Sequence, residues 1–279
     1  MTSRDWPAPA KINLFLHIVG HRADGYHLLQ TAFQFLDFGD SLRFTPRADG
    51  AIRRLNPLPA VPEEQDLTVR AALLLQQAGG VSLGADIALE KRIPLGAGLG
   101  GGSSDAATTL VALNCLWGLN LTRDRLAELG LRLGADVPVF VFGHAAWAEG
   151  VGERLTPLDP PEPWYLVLVP PCHVSTGEIF AAPELTRNAA PLKIAAFLSG
   201  AGTNLCEPVV RRRYPEVGEA LDWLGKYAPA RMSGTGAAVF AAFQAEVEAR
   251  AVQAQVPAPW RAWVARGMNV SPLYLASGE

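Results

Sequence analysis

The sequence has few cysteines, and their spacing gives them no evident structural task. Its 279 residues include three, at Cys115, Cys172 and Cys206. An odd number of widely spaced cysteines without a C-x-x-C pair suggests neither a disulfide framework nor a zinc knuckle. The chain is long enough to bury ordinary apolar cores. We therefore expect it to work in a reducing compartment.

The chain also lacks a membrane segment and an excess of positive charge. No apolar run is long enough to cross a bilayer, and the stretch from Met1 to Ala10 has no charged start followed by an apolar run. A formal net charge of −3 gives no broad basic surface for a polyanion. We expect a soluble, cytoplasmic protein that binds neither membranes nor nucleic acids. A small anion held by backbone dipoles can still be its ligand.

Alternating apolar residues predict that the chain begins with β-strands. Residues 10–18 alternate between apolar and polar side chains, and turn signals at Asp24-Gly25 and Gly39-Asp40 bound further strands over 28–38 and 41–45. Apolar spacing then predicts helices over 66–77 and 103–116, another helix after a Thr122 cap, a strand over 85–89, and a return to strand-like sequence after residues 134–140.

A cluster of prolines marks the clearest break in composition. Prolines stand at 157, 160, 161 and 163, and we place a domain boundary or hinge near Leu158. Beyond it, the sequence predicts strands over 165–169, 237–243 and 263–265, with helices near 217–227 and 244–254.

The strongest chemical signal is the glycine-rich segment from Pro94 to Ser104, which runs from a strand end into a helix. Glycines let the backbone approach a ligand, and successive N–H groups at a helix start form a nest for phosphate. The alternative is a flexible turn, but the serines add hydroxyls where a nucleotide phosphate and its Mg²⁺ would lie. The candidate ATP-binding residues here are Pro94, Gly96, Ala97, Gly98, Leu99, Gly100, Gly101, Gly102, Ser103 and Ser104.

Other nucleotide-binding classes fit this segment less well. Gly96, Gly98 and Gly101 satisfy G-x-G-x-x-G, but a dinucleotide fold needs an acidic residue at a strand end about 20 residues on. That distance reaches 118–122, between two predicted helices. An NAD(P)-dependent oxidoreductase is therefore a minor alternative. The chain also lacks the G-x-x-x-x-G-K-[ST] loop and the His-Arg-Asp and Asp-Phe-Gly motifs of protein kinases.

Three motifs, in order along the chain, resemble those of the galactokinase, homoserine kinase, mevalonate kinase and phosphomevalonate kinase (GHMP) superfamily. They are residues 9–14, the glycine-rich segment, and residues 233–240. The resemblance implies a two-domain α+β fold. Residues 1–157 would form the ATP-binding and catalytic domain, with a left-handed β-α-β unit where a right-handed one is usual. Residues 158–279 would form a ferredoxin-like α+β domain that closes over the substrate.

Two further blocks, 21–35 and 134–140, resemble the branch of that superfamily that acts on a cytidine diphosphate-linked methylerythritol. This resemblance implies ATP-dependent phosphorylation of the 2-hydroxyl of 4-diphosphocytidyl-2-C-methyl-D-erythritol, in the non-mevalonate route to isoprenoid precursors, with Mg²⁺ as cofactor. It implies that Tyr26 and Phe180 flank the cytosine and that His27 bonds to its edge. Alone, Tyr26 and His27 would indicate an ordinary turn and strand. A homoserine- or mevalonate-like acceptor is the main alternative.

Lys11 and Asp136 are the candidate catalytic residues. Moving a phosphoryl group to an alcohol needs a group to accept the hydroxyl proton and positive charge for the transferred group. The resemblance gives the first task to Asp136 and the second to Lys11. The sequence alone would equally allow a helix cap at Asp136 and a solvated strand lysine at Lys11.

The remaining predicted contacts surround these two groups. Asn13 shares a strand face with Lys11 and could contact the acceptor hydroxyl, and Thr176 lies in a stretch that resembles the family's substrate-binding segment. Lys91 would pack near the adenine or be exposed. No side-chain metal site is predicted, but Ser103 or Ser104 would lie near Mg²⁺. The partners expected are ATP and the small-molecule substrate, with the protein a monomer or weak homodimer.

Overall fold

The computed structural model describes residues 4–22, 25, 27–58 and 61–277, and its fold is α+β as predicted. The strands are β1 Trp6–His21, β2 His27–Arg47, β3 Ile52–Arg54, β4 Gly84–Glu90, β5 Ala146–Glu149, β6 Arg154–Pro157, β7 Trp164–Val169, β8 Ala230–Met232, β9 Val239–Phe243 and β10 Arg261–Met268. The helices are α1 Leu67–Gly79, α2 Gly101–Leu116, α3 Arg123–Leu131, α4 Val137–Phe142, α5 Thr176–Ala181, α6 Ile194–Leu198, α7 Glu207–Arg213, α8 Pro215–Leu224, α9 Glu246–Gln253 and α10 Pro272–Ser277. Among these helices, none is both long and apolar enough to cross a membrane.

The described strands form one connected sheet in the order β3-β4-β2-β10-β7-β9-β8. In addition, β1 and β5 pair with β2, and β6 pairs with β5. Strand β10 links the two halves, because Met268 pairs with Phe35 of β2 while the strand's earlier residues pair with β7. Strands β3 and β4 are parallel neighbours joined through α1, which makes a β-α-β unit.

Apolar side chains gather into three buried clusters within the described residues. The first lies between helices α1 to α4 and the β2–β4 side of the sheet, with Phe35 and Phe140 among its largest members. The second fills the half of the molecule formed by α7 to α9. A third lies between them around Phe15 and Trp147. Leu273 of helix α10 packs in the first cluster, although α10 belongs to the predicted second domain. The domain boundary at residue 157 therefore stays a prediction.

Most of the predicted elements are present, and the caps explain where two helices begin. The Asp66 side chain accepts from the backbone N–H of Thr68 at the start of α1, and Thr122 accepts from the N–H of Arg125 at the start of α3. The strand-like sequence predicted after residues 134–140 forms β5, and the residues directly after Asp136 form helix α4. Pro138 lies in its first turn, where a missing N–H costs no helical hydrogen bond.

The turn predicted at Gly39-Asp40 is wrong, because β2 runs unbroken through both residues. Gly39 is needed for close packing of β1 on β2. A Cβ atom added there would lie 2.4 Å from the carbonyl oxygen of Ala8. The register between the strands shifts just beyond, between Pro9 and Lys11. Gly39 is therefore required by the close approach of two backbones. In the sequence, such a glycine looks the same as a glycine in a turn.

This packing predicts that Gly39→Ala destabilises the fold. The added methyl group meets backbone atoms that cannot move aside as a side chain could, so we expect urea unfolding to show a loss of about 1–3 kcal/mol. Gly177→Ala is the matched control, because no atom lies within 4 Å of the added Cβ there. Equal stability of the two variants would contradict this account of β1 and β2.

Candidate active site

The glycine-rich segment wraps around the start of α2. Gly96, Gly98 and Gly100 have φ angles of 66°, 76° and 72°, and α2 begins at the next residue. These left-handed conformations favour glycine. At Gly98 the absence of a side chain is also required by packing, since a Cβ atom would lie 2.5 Å from the carbonyl oxygen of Ser233.

Hydrogen bonds from both halves of the molecule hold this segment in place. The backbone N–H of Lys11 in β1 donates to Leu99 at 3.0 Å. From the other side, the Ser233 hydroxyl donates to the carbonyl of Gly98 at 2.9 Å, and the N–H of Ala238 donates to Ala97 at 2.9 Å. The three sequence motifs therefore meet at one place.

Lys11 lies buried at this meeting point, and its ammonium group has three acceptors. Its Nζ is 3.1 Å from Asp136 Oδ2, 2.6 Å from Asn13 Oδ1 and 3.3 Å from the carbonyl oxygen of Gly98. An ammonium group has three N–H donors, so its hydrogen-bonding capacity is filled. Lys11 is 3% exposed, whereas Asp136 is 34% exposed and reachable from solvent. The structure thus brings together the two predicted catalytic side chains.

Thr31 in β2 fixes the orientation of the Asn13 amide. The Thr31 hydroxyl donates to the carbonyl of Phe15, so its oxygen is left to accept from Asn13 Nδ2 at 3.0 Å. The carbonyl oxygen of the Asn13 amide must then point at Lys11. This chain of bonds holds the Lys11 side chain in one position on the strand face.

Two cavities adjoin the glycine segment and share Gly98, Gly100 and Ser103 in their walls. The first has a volume of about 340 Å³ and is lined by residues 94–103 together with Leu58, Val61, Gln65, Asp66, Leu67, Thr68, Leu89, Lys91 and Asp105. The second has a volume of about 290 Å³ and is lined also by Lys11, Asn13, Leu16, Leu29, Thr31, Phe33, Ala135, Asp136, Val151, Gly152, Thr176, Phe180, Gly234 and Thr235. A donor and an acceptor could therefore bind on the two sides of the glycine segment and meet near Lys11 and Asp136.

Lys91 lines the first cavity, but its ammonium group is already engaged. It lies 2.5 Å from Asp40 Oδ2 and 2.7 Å from Asp105 Oδ2. Asp40 also accepts from the backbone N–H groups of Arg92 and Ile93, which ties the end of β4 to β2. Of the two positions expected for Lys91, the exposed one is wrong, because the side chain is 13% exposed.

Burial makes this cluster electrostatically unusual. It raises the pKa of the Asp105 carboxyl to about 8, although the charge of Lys91 acts the other way. Burial by itself would lower the pKa of Lys91, but the charges of Asp105 and Asp40 outweigh it and raise that pKa. Asp105 Oδ1 and Ser104 Oγ are buried and have no hydrogen-bond partner among the described residues.

Of the predicted base-binding residues, Phe180 lines the second cavity, and His27 packs against Phe180 without lining the cavity. The Phe180 ring lines that cavity and is stacked on His27, with ring centroids 5.2 Å apart and planes inclined by 28°. Thr176 shares a hydrogen bond of 2.9 Å with Thr235. Tyr26 lies outside the described residues. The sequence did not predict that His27 stacks on Phe180. The hydrogen bond predicted between His27 and the cytosine edge stays a prediction.

Comparison with known proteins identifies the family. The GHMP kinases N terminal domain matches residues 66–144, and the GHMP kinases C terminal domain matches residues 181–262. The 4-diphosphocytidyl-2-C-methyl-D-erythritol kinase of Nitrosococcus oceani is 61% identical over 268 residues, covering 96% of each chain. That of Alkalilimnicola ehrlichii is 62% identical, covering 97% of this chain and 93% of the relative.

The chain belongs to the 4-diphosphocytidyl-2-C-methyl-D-erythritol kinase family. A crystal structure of 4-(cytidine 5'-diphospho)-2C-methyl-D-erythritol kinase agrees with a TM-score of 0.84 at 36% identity, covering 95% of this chain and 99% of that one. The mevalonate kinase of Methanococcus jannaschii shares the fold alone, with a TM-score of 0.70 at 15% identity and coverage of 96% and 99%. The predicted superfamily and branch are both confirmed.

Several residues around this kinase-family site were not predicted from the sequence. Thr31, Asp40 and Thr235 contact predicted site residues through buried or partly buried polar groups. Arg187 donates to His27 from a loop after α5. Strand periodicity could have placed Thr31 on the face of Lys11, since the two lie on paired strands. Nothing in the local sequence around Arg187 indicates its distant partner.

The raised pKa of Asp105 predicts a pH-dependent stability. Between the unfolded carboxyl value of about 3.9 and the folded value of about 8, the folded state holds an extra proton, so stability falls as pH rises. Asp105→Asn removes this titration. From pH 5 to pH 8, we expect the Tm of the unmodified protein to fall relative to the variant by on the order of 5–10 °C.

Thermal unfolding of the ligand-free protein at both pH values checks this prediction. Asp159→Asn, at an exposed position, serves as the control. It keeps Asp105, so its Tm should differ from that of the unmodified protein by the same amount at pH 5 and at pH 8. A Tm difference between Asp105→Asn and the unmodified protein that is the same at pH 5 and pH 8 would refute the buried titration.

Proposed function

We propose that this chain transfers the γ-phosphoryl group of ATP to the 2-hydroxyl of 4-diphosphocytidyl-2-C-methyl-D-erythritol. The main support for the proposal is the Lys11–Asp136 pair, whose charged atoms are 3.1 Å apart. Both residues line the second cavity, beside the glycine segment that separates this cavity from the first. ATP would occupy the first cavity and the alcohol the second. Membership of a family named for this substrate supports the choice of acceptor.

Asp136 would act on the acceptor hydroxyl. Its carboxylate is partly exposed in the second cavity, so an alcohol entering there can donate its proton to a carboxylate oxygen as the oxygen attacks phosphorus. Lys11, held by Asn13 and Gly98, has its ammonium group beside the place where the reacting groups would meet. A charge fixed in advance stabilises the transferred phosphoryl group without costly reorganisation.

The glycine segment would hold the triphosphate. The first backbone N–H groups of α2 have no helical acceptor, and the helix dipole favours negative charge at that end. Residues Gly96 to Ser103 line the first cavity continuously, so their backbone would run beside a triphosphate bound there. The predicted contact of Ser104 with ATP has no support in this geometry, because Ser104 is buried and lines neither cavity, whereas Ser103 lines both.

Mg²⁺ would enter this site as its complex with ATP. Across the described part of the chain, no group of three His, Cys, Asp or Glu side chains could hold a metal. Mg²⁺ in kinases is commonly bound through phosphates with few protein ligands, and Ser103, which lines both cavities, is the residue we propose beside it. When bound, the ion would neutralise phosphate charge.

Asp136→Asn tests the catalytic assignment. The amide keeps the size and can still accept from Lys11, but it cannot take a proton from the substrate. We expect kcat to fall about 100-fold or more, with little change in KM for ATP. Steady-state assays of ADP release measure both constants. Asp124→Asn, at an exposed carboxylate on α3, should retain normal activity, and near-normal turnover by Asp136→Asn would remove Asp136 from this role.

A panel of acceptors tests the substrate assignment. With ADP release as the readout, we expect turnover with the cytidyl substrate and at least about 100-fold lower kcat/KM with homoserine or mevalonate, which lack a base to stack on Phe180. Turnover of another alcohol without turnover of the cytidyl substrate would overturn the assignment.

A further inference from the structure

Strand β1 contains a β-bulge next to the residues that hold the Lys11 ammonium group. Asn13 and Phe15 pair with adjacent residues of β2, so Leu14 is an extra residue with no partner across the ladder. A bulge of this kind bends the strand and redirects the side chains that follow it. The bulge comes directly after Asn13, whose amide oxygen is 2.6 Å from Lys11 Nζ.

The bulge determines which residues of β1 face the second cavity. Lys11 and Asn13 line that cavity, and strict alternation along the strand would place Phe15 beside them. Instead, Leu16 lines the cavity and Phe15 is buried in the third apolar cluster. Without the extra residue, the side chains on one side of position 14 would turn to the opposite face of the sheet. The placement of Lys11 and Asn13 against the cavity therefore depends on keeping the bulge at Leu14.

Three side chains hold the backbone of the bulge. The Ser233 hydroxyl accepts from the N–H of Asn13 at 3.1 Å. The Thr31 hydroxyl donates to the carbonyl of the residue that follows Leu14. Arg231 Nη1 donates to the carbonyl oxygen of Leu14 itself, at 2.9 Å. The extra residue and both of its neighbours are thus each held by one hydrogen bond from outside β1.

The guanidinium group of Arg231 is committed to this carbonyl and not to an ion pair. Arg231 belongs to β8 and is half-buried. In the described part of the chain it has no carboxylate partner, and the bond to Leu14 is the hydrogen bond found for it. Leu14 is buried, and a buried carbonyl that no strand partner serves is costly to leave without a donor. Arg231 supplies that donor from the second half of the chain.

We propose that Arg231 is a positioning residue for phosphoryl transfer, which acts by locking the bulge at Leu14. The inference rests on the proposed function, because that function places Lys11 and Asn13 at the reacting groups. The lock keeps the Asn13 amide directed at the Lys11 ammonium group. Arg231 lines a separate cavity of about 500 Å³ and neither of the two cavities of the site, so its effect on the reaction passes through β1.

Amide hydrogen exchange of the ligand-free protein tests the lock directly. Arg231→Ala removes the donor, so the amides of residues 13–16 should exchange on the order of 10-fold faster relative to those of β4. Arg213→Ala, which removes an arginine paired with Glu184, is the matched control and should leave that ratio unchanged. An equal change in β1 and β4, or no change in β1, would overturn the proposal.

Kinetics of the same variants test the effect on the reaction. We expect kcat of Arg231→Ala to fall on the order of 10- to 100-fold with little change in KM, because a displaced Asn13 misplaces a charge that acts in the transition state. Methylguanidinium ion should restore part of kcat, since the cavity at Arg231 gives the ion access to the Leu14 carbonyl. Arg213→Ala should keep normal kcat with and without the ion.

A residue that only stabilises the fold gives a different result. Such a residue would lower Tm but leave kcat of the folded protein intact, and this outcome would overturn the proposal. If Arg231→Ala does not fold, Arg231→Met, which keeps the apolar stem, replaces it in both experiments. If the unmodified protein does not phosphorylate the cytidyl substrate, the proposed function fails instead, and the exchange experiment still decides whether Arg231 holds the bulge.

Discussion

The site depends on the buried ammonium group of Lys11 and its three acceptors. Asp136 precedes helix α4, Asn13 belongs to strand β1, and Gly98 lies in the glycine segment, so one positive charge connects three parts of the chain. A buried charge is tolerated only when it is paired and hydrogen-bonded. The same contacts that stabilise the charge therefore place it between the two cavities, where a transferred phosphoryl group would need it.

The second half of the molecule completes the site by holding the glycine segment and not by adding charge. The hydroxyl of Ser233 and the backbone of Ala238 bind this segment, and the packing against Ser233 leaves no space for a side chain at Gly98. Strand β10 continues the sheet between the halves. The glycine segment is thus held on one side by β1 and on the other by the loop before β9, which limits the movements available to the phosphate site.

The sequence predicts those parts of the site whose chemistry is local. The glycine segment combines unusual composition with a helix start, and Lys11 and Asn13 share one face of an alternating strand, so each could be found from neighbours in the chain. Arg187 could not, because its bond to His27 spans 160 residues and only the fold brings the two together. The turn expected at Gly39 was wrong for a related reason. A glycine has the same sequence signature in a turn and in a close approach of two strands.

The most direct test of the account is a crystal structure with a non-hydrolysable ATP analogue and the cytidyl substrate bound together. We expect the triphosphate along residues 96–104, the γ-phosphate beside Lys11, and the 2-hydroxyl of the substrate within hydrogen-bonding distance of Asp136. A triphosphate bound away from the glycine segment, or a substrate whose hydroxyl lies far from both Lys11 and Asp136, would contradict it.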